Sequence, residues 1–162
     1  MRLDLTMPHK GMVVIYPDRE GKVLVKRREA SRFLSLRLRP DSRLLRGYPG
    51  HRIDQSDMGR LIDNIARSLT DERRGPIDMS QKDGSVLVRV LAVDHFRPDT
   101  STFYEFLIDA ATWLPAGVTE MTPEGRVVRM TSFTNLRVNP RLPAGFFDTD
   151  PVRDSEREGN AK

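Results

Sequence analysis

The sequence predicts a mainly β protein of the α+β class, an antiparallel sheet accompanied by one amphipathic helix. Three observations predict it. Short runs alternate apolar and polar residues between turn signals, a single stretch spaces its apolar residues as a helix does, and the strands after it follow one another with no helical segment between them.

The elements follow in order. Met1–Leu5 alternates, with Leu3 and Leu5 on one face, and Pro8 to Gly11 breaks it. Met12–Tyr16 (MVVIY) and Lys22–Arg27 (KVLVKR) are β-rich runs joined by Pro17-Asp18-Arg19-Glu20-Gly21, the pattern of a hairpin. Phe33–Arg39 places Leu34, Leu36 and Leu38 on one face, opposite Ser35, Arg37 and Arg39. Between Ser56 and Arg74, Met58, Leu61, Ile62, Ile65 and Leu69 fall on one helical stripe, which leaves Asp63, Asn64, Arg67 and Ser68 mainly around the other side. Ser56 or Asp57 can cap its start, Arg73 and Arg74 suit the negative end of its dipole, and Gly75-Pro76 stops it.

Ser85–Val93, Thr102–Asp109, Gly117–Thr122 and Arg126–Leu136 then read as strands, with turns at Lys82-Asp83-Gly84 and Pro123-Glu124-Gly125. Phe103 and Leu107 oppose Tyr104, Phe106 and Ile108, so both faces of this sheet are expected to be covered, by core and helix or by core and ligand. The 162 residues suit one domain, taken as 1–148. The polar, charged run 149–162 is expected to be a disordered tail.

Composition narrows the chemistry. With no cysteine, disulfides, thiol catalysis and Cys-ligated metal are excluded. His9, His51 and His95 stand apart from any ligand spacing and read as solvated loop residues. Asp94 and His95 are neighbours on a strand and point to opposite faces, so the carboxylate is not expected to orient the ring. There is no GxSxG, P-loop or GxGxxG. No catalytic residue, metal or cofactor is expected, and the chain reads as a non-enzyme. The excess of 27 Lys+Arg over 23 Asp+Glu is concentrated between Lys22 and Arg46, where nine basic residues stand against Glu29 and Asp41. Such a patch attracts an anionic membrane surface. It is poor in the aromatics that stack bases, holding Phe33 alone, so nucleic acid is disfavoured as a partner. The start of the chain has no apolar segment of the signal-peptide type.

Four stretches taken together resemble the LolA-like superfamily of periplasmic lipoprotein carriers and outer-membrane lipoprotein-sorting proteins, and are most similar to a bacterial branch without an assigned function. They are MRLDL, the hairpin GMVVIYPDREGKVLV, the helix SDMGRLIDNIARSL, and the ending FYEFLIDAATWLPAGVTEMTPEGRVVRMTSFTNLRVNPRLPAGFF. In the ending, Ile108-Asp109, Leu114-Pro115, Pro123-Glu124-Gly125, Asn135 or Asn139, and Phe146-Phe147 carry the likeness. The resemblance implies an open antiparallel half-barrel with its concave apolar side covered by helix, a place in the periplasm or cell envelope, and a lipid or lipoprotein acyl chain as the partner. The front of the family domain is expected to be missing, so the carriers' lid-contacting arginine has no counterpart here. Candidate lining residues are Leu3, Leu5, Leu36, Leu38, Leu61, Ile65, Tyr104, Phe106, Ile108 and Met130, each of which equally fits an ordinary core. The alternative is a protein-interaction or regulatory module of the same fold whose core is filled.

Overall fold

The structure, a computed structural model, describes residues 1–6, 10–18, 20–27, 35–46 and 51–147. It is mainly β with one α-helix, and its strands divide between two open antiparallel sheets. These belong to two compact units, Met1–Asp57 with the stretch from Arg141 onward, and Met58–Pro140.

In the first unit, β1 (Arg2–Asp4), β2 (Met12–Ile15), β3 (Val23–Arg27) and β4 (Ser35–Leu38) pair in sequence order. The β2–β3 turn is held by Asp18, whose Oδ1 accepts the backbone N–H groups of Glu20 and Lys22 at 2.9 and 2.7 Å. Gly21 closes it at φ +71°, a conformation that a residue with a Cβ adopts only at a cost. Because side chains alternate along a strand, Val14, Val23 and Val25 share one face, where Leu3, Leu5, Leu38, Leu45 and Ile53 pack on them. Val13, Ile15 and Leu24 are buried on the other face. Arg2, opposite Ile15 in the ladder, lays its guanidinium 4.6 Å from the Phe146 ring centre and donates to the Phe146 carbonyl at 2.8 Å.

The second unit begins with α1 (Met58–Thr70), followed by β5 (Ile77–Lys82), β6 (Ser85–Val93), β7 (Ser101–Asp109), β8 (Pro115–Met121) and β9 (Val127–Ser132), a five-stranded meander. Asp83 and Gly84, both at positive φ, form the two-residue β5–β6 turn with Lys82 paired to Ser85. The strand β5 is absent from the sequence reading because IDMSQK holds only two apolar residues and lies at a sheet edge, with Met79 68% exposed. The helix is shorter than Ser56–Arg74: it ends at Thr70, and Arg74 folds back so that its Nε donates to the Leu69 carbonyl at 2.8 Å. The last strand ends at Ser132, short of Leu136, because Asn135 turns the chain at φ +57°.

One face of this sheet is covered by α1. Val88, Val90, Ala92, Tyr104, Phe106 and Val118 meet Ile65 there, with Leu61, Leu69, Val86 and Ile108 at the margin. The helix is rotated from the expected stripe. Asn64 and Ser68 are buried toward the sheet, and Ile62 is exposed. Tyr104 and Phe106 have no exposure at all, their rings parallel with centres 5.4 Å apart. Deleting a fully enclosed ring leaves a cavity, so Phe106→Ala is expected to lower the unfolding free energy in urea by about 3–5 kcal/mol. Met130→Ala, at an exposed position, should stay within about 0.5 kcal/mol of the parent.

Candidate functional site

The face of the five-stranded sheet opposite α1 carries an open groove of about 440 Å³. Its floor and walls come from alternate residues of four consecutive strands. Leu87 of β6, Leu107 of β7, Gly117 of β8 and Ser132 of β9 stand in register across the sheet, and Met130 flanks them beside Thr119. Gly117 keeps the groove open. A Cβ there would sit 3.3 Å from the Thr131 carbonyl oxygen and 3.8 Å from Leu107 Cβ.

Polar groups line the other end of the same face. Arg89 Nε donates to Glu105 Oε1 at 2.6 Å, and Asp78 lies 3.7 Å from its Nη1, so three adjacent strands are bridged. Glu105, by hydrogen bond and charge, raises the Arg89 pKa further above an already high value. The groove thus offers apolar contact from Leu87, Leu107 and Met130 beside a fixed ion pair and the hydroxyls of Ser85 and Ser132.

A second polar feature joins the helix to the sheet. His95, just past β6, stacks on Tyr104 with ring centres 4.2 Å apart, and its Nε2 is hydrogen-bonded to Ser68 Oγ of α1 at 2.7 Å. Its backbone N–H donates to Tyr104 Oη at 2.9 Å. Burial pushes the His95 pKa down to about 4, and the charges of Arg67 and Arg129 add to that. Burial also pushes the Tyr104 phenol up, so both rings are neutral at pH 7. His95 is therefore not the solvated loop residue that its sequence context predicts. His51 is tied as well, Nε2 donating to the Gln55 carbonyl at 3.0 Å, and His9 lies outside the described residues.

Asp94, like His95, lies just past the end of β6, and both line one small pocket. The Asp94 Oδ1 accepts the N–H groups of Phe96 and Arg97 at 2.9 and 2.8 Å, and its Oδ2 accepts Thr102 Oγ1 at 2.6 Å and Arg97 Nη2 at 3.0 Å. Burial raises its pKa, but these donors outweigh the effect and hold the carboxyl below the usual range. It is the staple of the β6–β7 connection.

The ten sequence candidates do not converge. Leu3, Leu5 and Leu38 pack in the four-stranded sheet's own cluster, and Leu36, on its edge strand β4, is 53% exposed and lines no cluster. Leu61, Ile65, Tyr104, Phe106 and Ile108 do meet, in the core beneath α1. Met130 stands on the opposite face, in the groove, because it is in register with Thr119 and Glu105 and not with Phe106. The groove residues Leu87, Leu107 and Gly117 are not among the candidates. The signal for them was the apolar character of both faces of β7.

In the basic segment, Lys22 pairs with Glu20 at 2.7 Å, Arg39 with Asp41 at 3.0 Å, and Arg37 lies 3.6 Å from Asp18 and 3.7 Å from Glu20. Three of the nine basic residues of the segment are thus paired locally. Among the described residues no group of three or more His, Asp or Glu could hold a metal ion, and no helix is long and apolar enough to cross a membrane. Comparison with known proteins gives no matching family model, no matching curated protein and no matching solved structure.

The Asp94 staple yields a pH prediction. A carboxyl held below its unfolded pKa stabilises the fold above that value, and the contribution fades as pH falls through the folded one. Asp94→Asn, which loses charge and acceptor capacity, is expected to cost about 1–3 kcal/mol at pH 7. The deficit relative to the parent should shrink below pH 4, read by urea unfolding at each pH.

Proposed function

We propose that this chain is a non-enzymatic binding module whose working surface is the uncovered face of the five-stranded sheet, and that its partner is a protein. The observation that carries the reading is the filled core under α1: Tyr104 and Phe106 are wholly enclosed, so the covered apolar face has no room for a ligand. Binding then falls to the groove, which is apolar at Leu87, Leu107 and Met130 and polar at Arg89, Glu105, Ser85 and Ser132. An apolar centre bordered by polar groups is the composition of a protein interface.

A second reading is favoured by the volume of the groove. About 440 Å³ lies within the range of roughly 300–1,000 Å³ typical of small-molecule sites. An acyl chain laid along it would gain about 0.8 kcal/mol for each methylene removed from water. The LolA-like resemblance supports this reading, and with it a half-barrel form, an envelope location and contact of the basic segment 22–46 with an anionic membrane surface. The local pairing of Lys22, Arg37 and Arg39 weighs against that last contact.

Native mass spectrometry after incubation with phospholipid vesicles, followed by denaturing lipid extraction, decides between the two. The protein-interaction reading expects the mass of the bare chain and no lipid in the extract. An acyl lipid that departs only on denaturation, and that Met130→Glu abolishes without loss of stability, would transfer the conclusion to the acyl reading.

A further inference from the structure

We propose that the protein partner of the groove is held by strand addition: an extended segment pairs antiparallel with the open edge of β9 and lays a large aromatic side chain across Ser132 and Gly117. The inference rests on the reading of the groove as a protein-binding surface and names how that surface takes its partner.

The strand β9 ends the five-stranded sheet, so one of its sides meets no other strand of that sheet. Which backbone groups face that side follows from its ladder with β8. Ala116 and Phe133 continue the register of the Gly117–Ser132 pair, and the Phe133 N–H donates to the Ala116 carbonyl at 2.9 Å. Bonded and non-bonded pairs alternate along an antiparallel ladder. Val118–Thr131 is then a bonded pair, and Gly117–Ser132 and Thr119–Met130 are not. The N–H and C=O groups of Met130 and Ser132 therefore point away from β8, and among the described residues they have no partner. The bulge in this ladder lies between Glu120 and Met121, at the start of β9, which leaves Arg129–Ser132 regular.

Side chains select this edge over the other. The strand β5 is polar along IDMSQK, a composition that discourages pairing at an edge, and the full side chains of Leu87 and Arg89 stand next to it. The edge at β9 carries Val127, Val128 and Met130, all exposed, and borders the groove directly.

The groove also states what size of residue the partner brings. Along the row Leu87, Leu107, Gly117 and Ser132 the side chains dwindle toward the edge, from two leucines to none and then to a hydroxymethyl group. A residue hydrogen-bonded opposite Ser132 is the next member of that row. With strands about 4.8 Å apart, its backbone lies about 14 Å from that of Leu107, with almost no side chain between them. A tryptophan there crosses Ser132 and ends over Gly117, against Leu107. Two residues further along the partner, a side chain falls beside Met130, whose flexible thioether suits an aliphatic neighbour. The residues between them turn to the other face, beside Thr131 and Arg129, and Arg129 is already paired with Glu120. Main-chain bonds thus supply the hold, and the alternate side chains supply the choice of partner.

An NMR titration of the full chain with the capped peptide KTVTWTVTK tests this. The amide resonances of Met130 and Ser132 are expected to move downfield as they gain acceptors, while those of β5 stay in place. The same peptide with alanine in place of tryptophan should bind about tenfold more weakly or worse. In Ser132→Trp the protein's own ring fills the gap, so the two peptides should bind alike. Met130→Pro removes an N–H that the β8 ladder does not use, so it should keep the spectrum of β5 to β8 and lose the peptide. Should that variant not fold, the comparison of the two peptides on the parent and on Ser132→Trp still decides. Peptide shifts confined to Leu87 and Leu107, with Met130 and Ser132 unmoved, overturn strand addition and leave the groove as a protein site. No shift at all, or equal binding of both peptides to the parent, also overturns it. The protein-partner reading itself fails separately, on an acyl lipid retained in the vesicle experiment.

Discussion

The parallel stack of Tyr104 and Phe106 beneath α1 is the contact on which the rest of the second unit depends. Two large rings with no exposure fix the register of β7 against β6 and β8, since each must stand on the helix side. That choice sends Leu107, Glu105 and Phe103 to the opposite face by alternation alone. The groove is therefore a by-product of the core: the same pleat that hides Tyr104 and Phe106 presents Leu107 beside Gly117. His95 extends the stack by one more ring and ties it to Ser68, which fixes the rotation of the helix.

Polarity at this interface has a structural reason. A helix gripping a sheet through a wholly apolar stripe would have placed Ile62 inward, and here Ile62 is exposed while Asn64 and Ser68 are buried. Buried polar groups are tolerated when they are bonded, and Ser68 finds His95 while Asn64 Oδ1 accepts from Arg67. The arrangement gives up some apolar contact for a specific orientation. Charge elsewhere follows a similar economy, with Arg89, Arg97 and Arg129 each set against one or two carboxylates of the same sheet or its connections.

Much of the fold was legible because the local signals are strong. The alternation of SVLVRVLAV and the Asp-Gly turn before it place β6 and its hairpin directly, and Gly21 and Gly125 sit at positive φ where turns were expected. The strand β5 was not legible, since an edge strand with one row of neighbours needs few apolar residues to be stable. The site was less legible than the fold for a related reason. A list of apolar residues on strands cannot say which of the two faces each occupies until the register between strands is known, and Met130 pairs with Thr119, which pairs with Glu105 and not with Phe106. Met130 and Phe106 were grouped as lining residues, yet they lie on opposite faces. The Ser68–His95 bond joins two residues with no sequence relation, and each looked like a solvated residue until the other was beside it.

In both sheets every strand pairs with its neighbour in sequence, β1 through β4 and β5 through β9. That ordering shapes how the chain finds its structure. Each ladder can zip from a turn outward, closing only a short connection at each step. Low contact order favours fast formation of the sheets. The helix is the exception, because it precedes β6 and β7 in sequence and packs on a face that exists only once they pair. Its closure over Tyr104 and Phe106 therefore needs those two strands paired first. The hairpin of β6 and β7, the longest ladder among the described residues, supplies the surface on which that event depends.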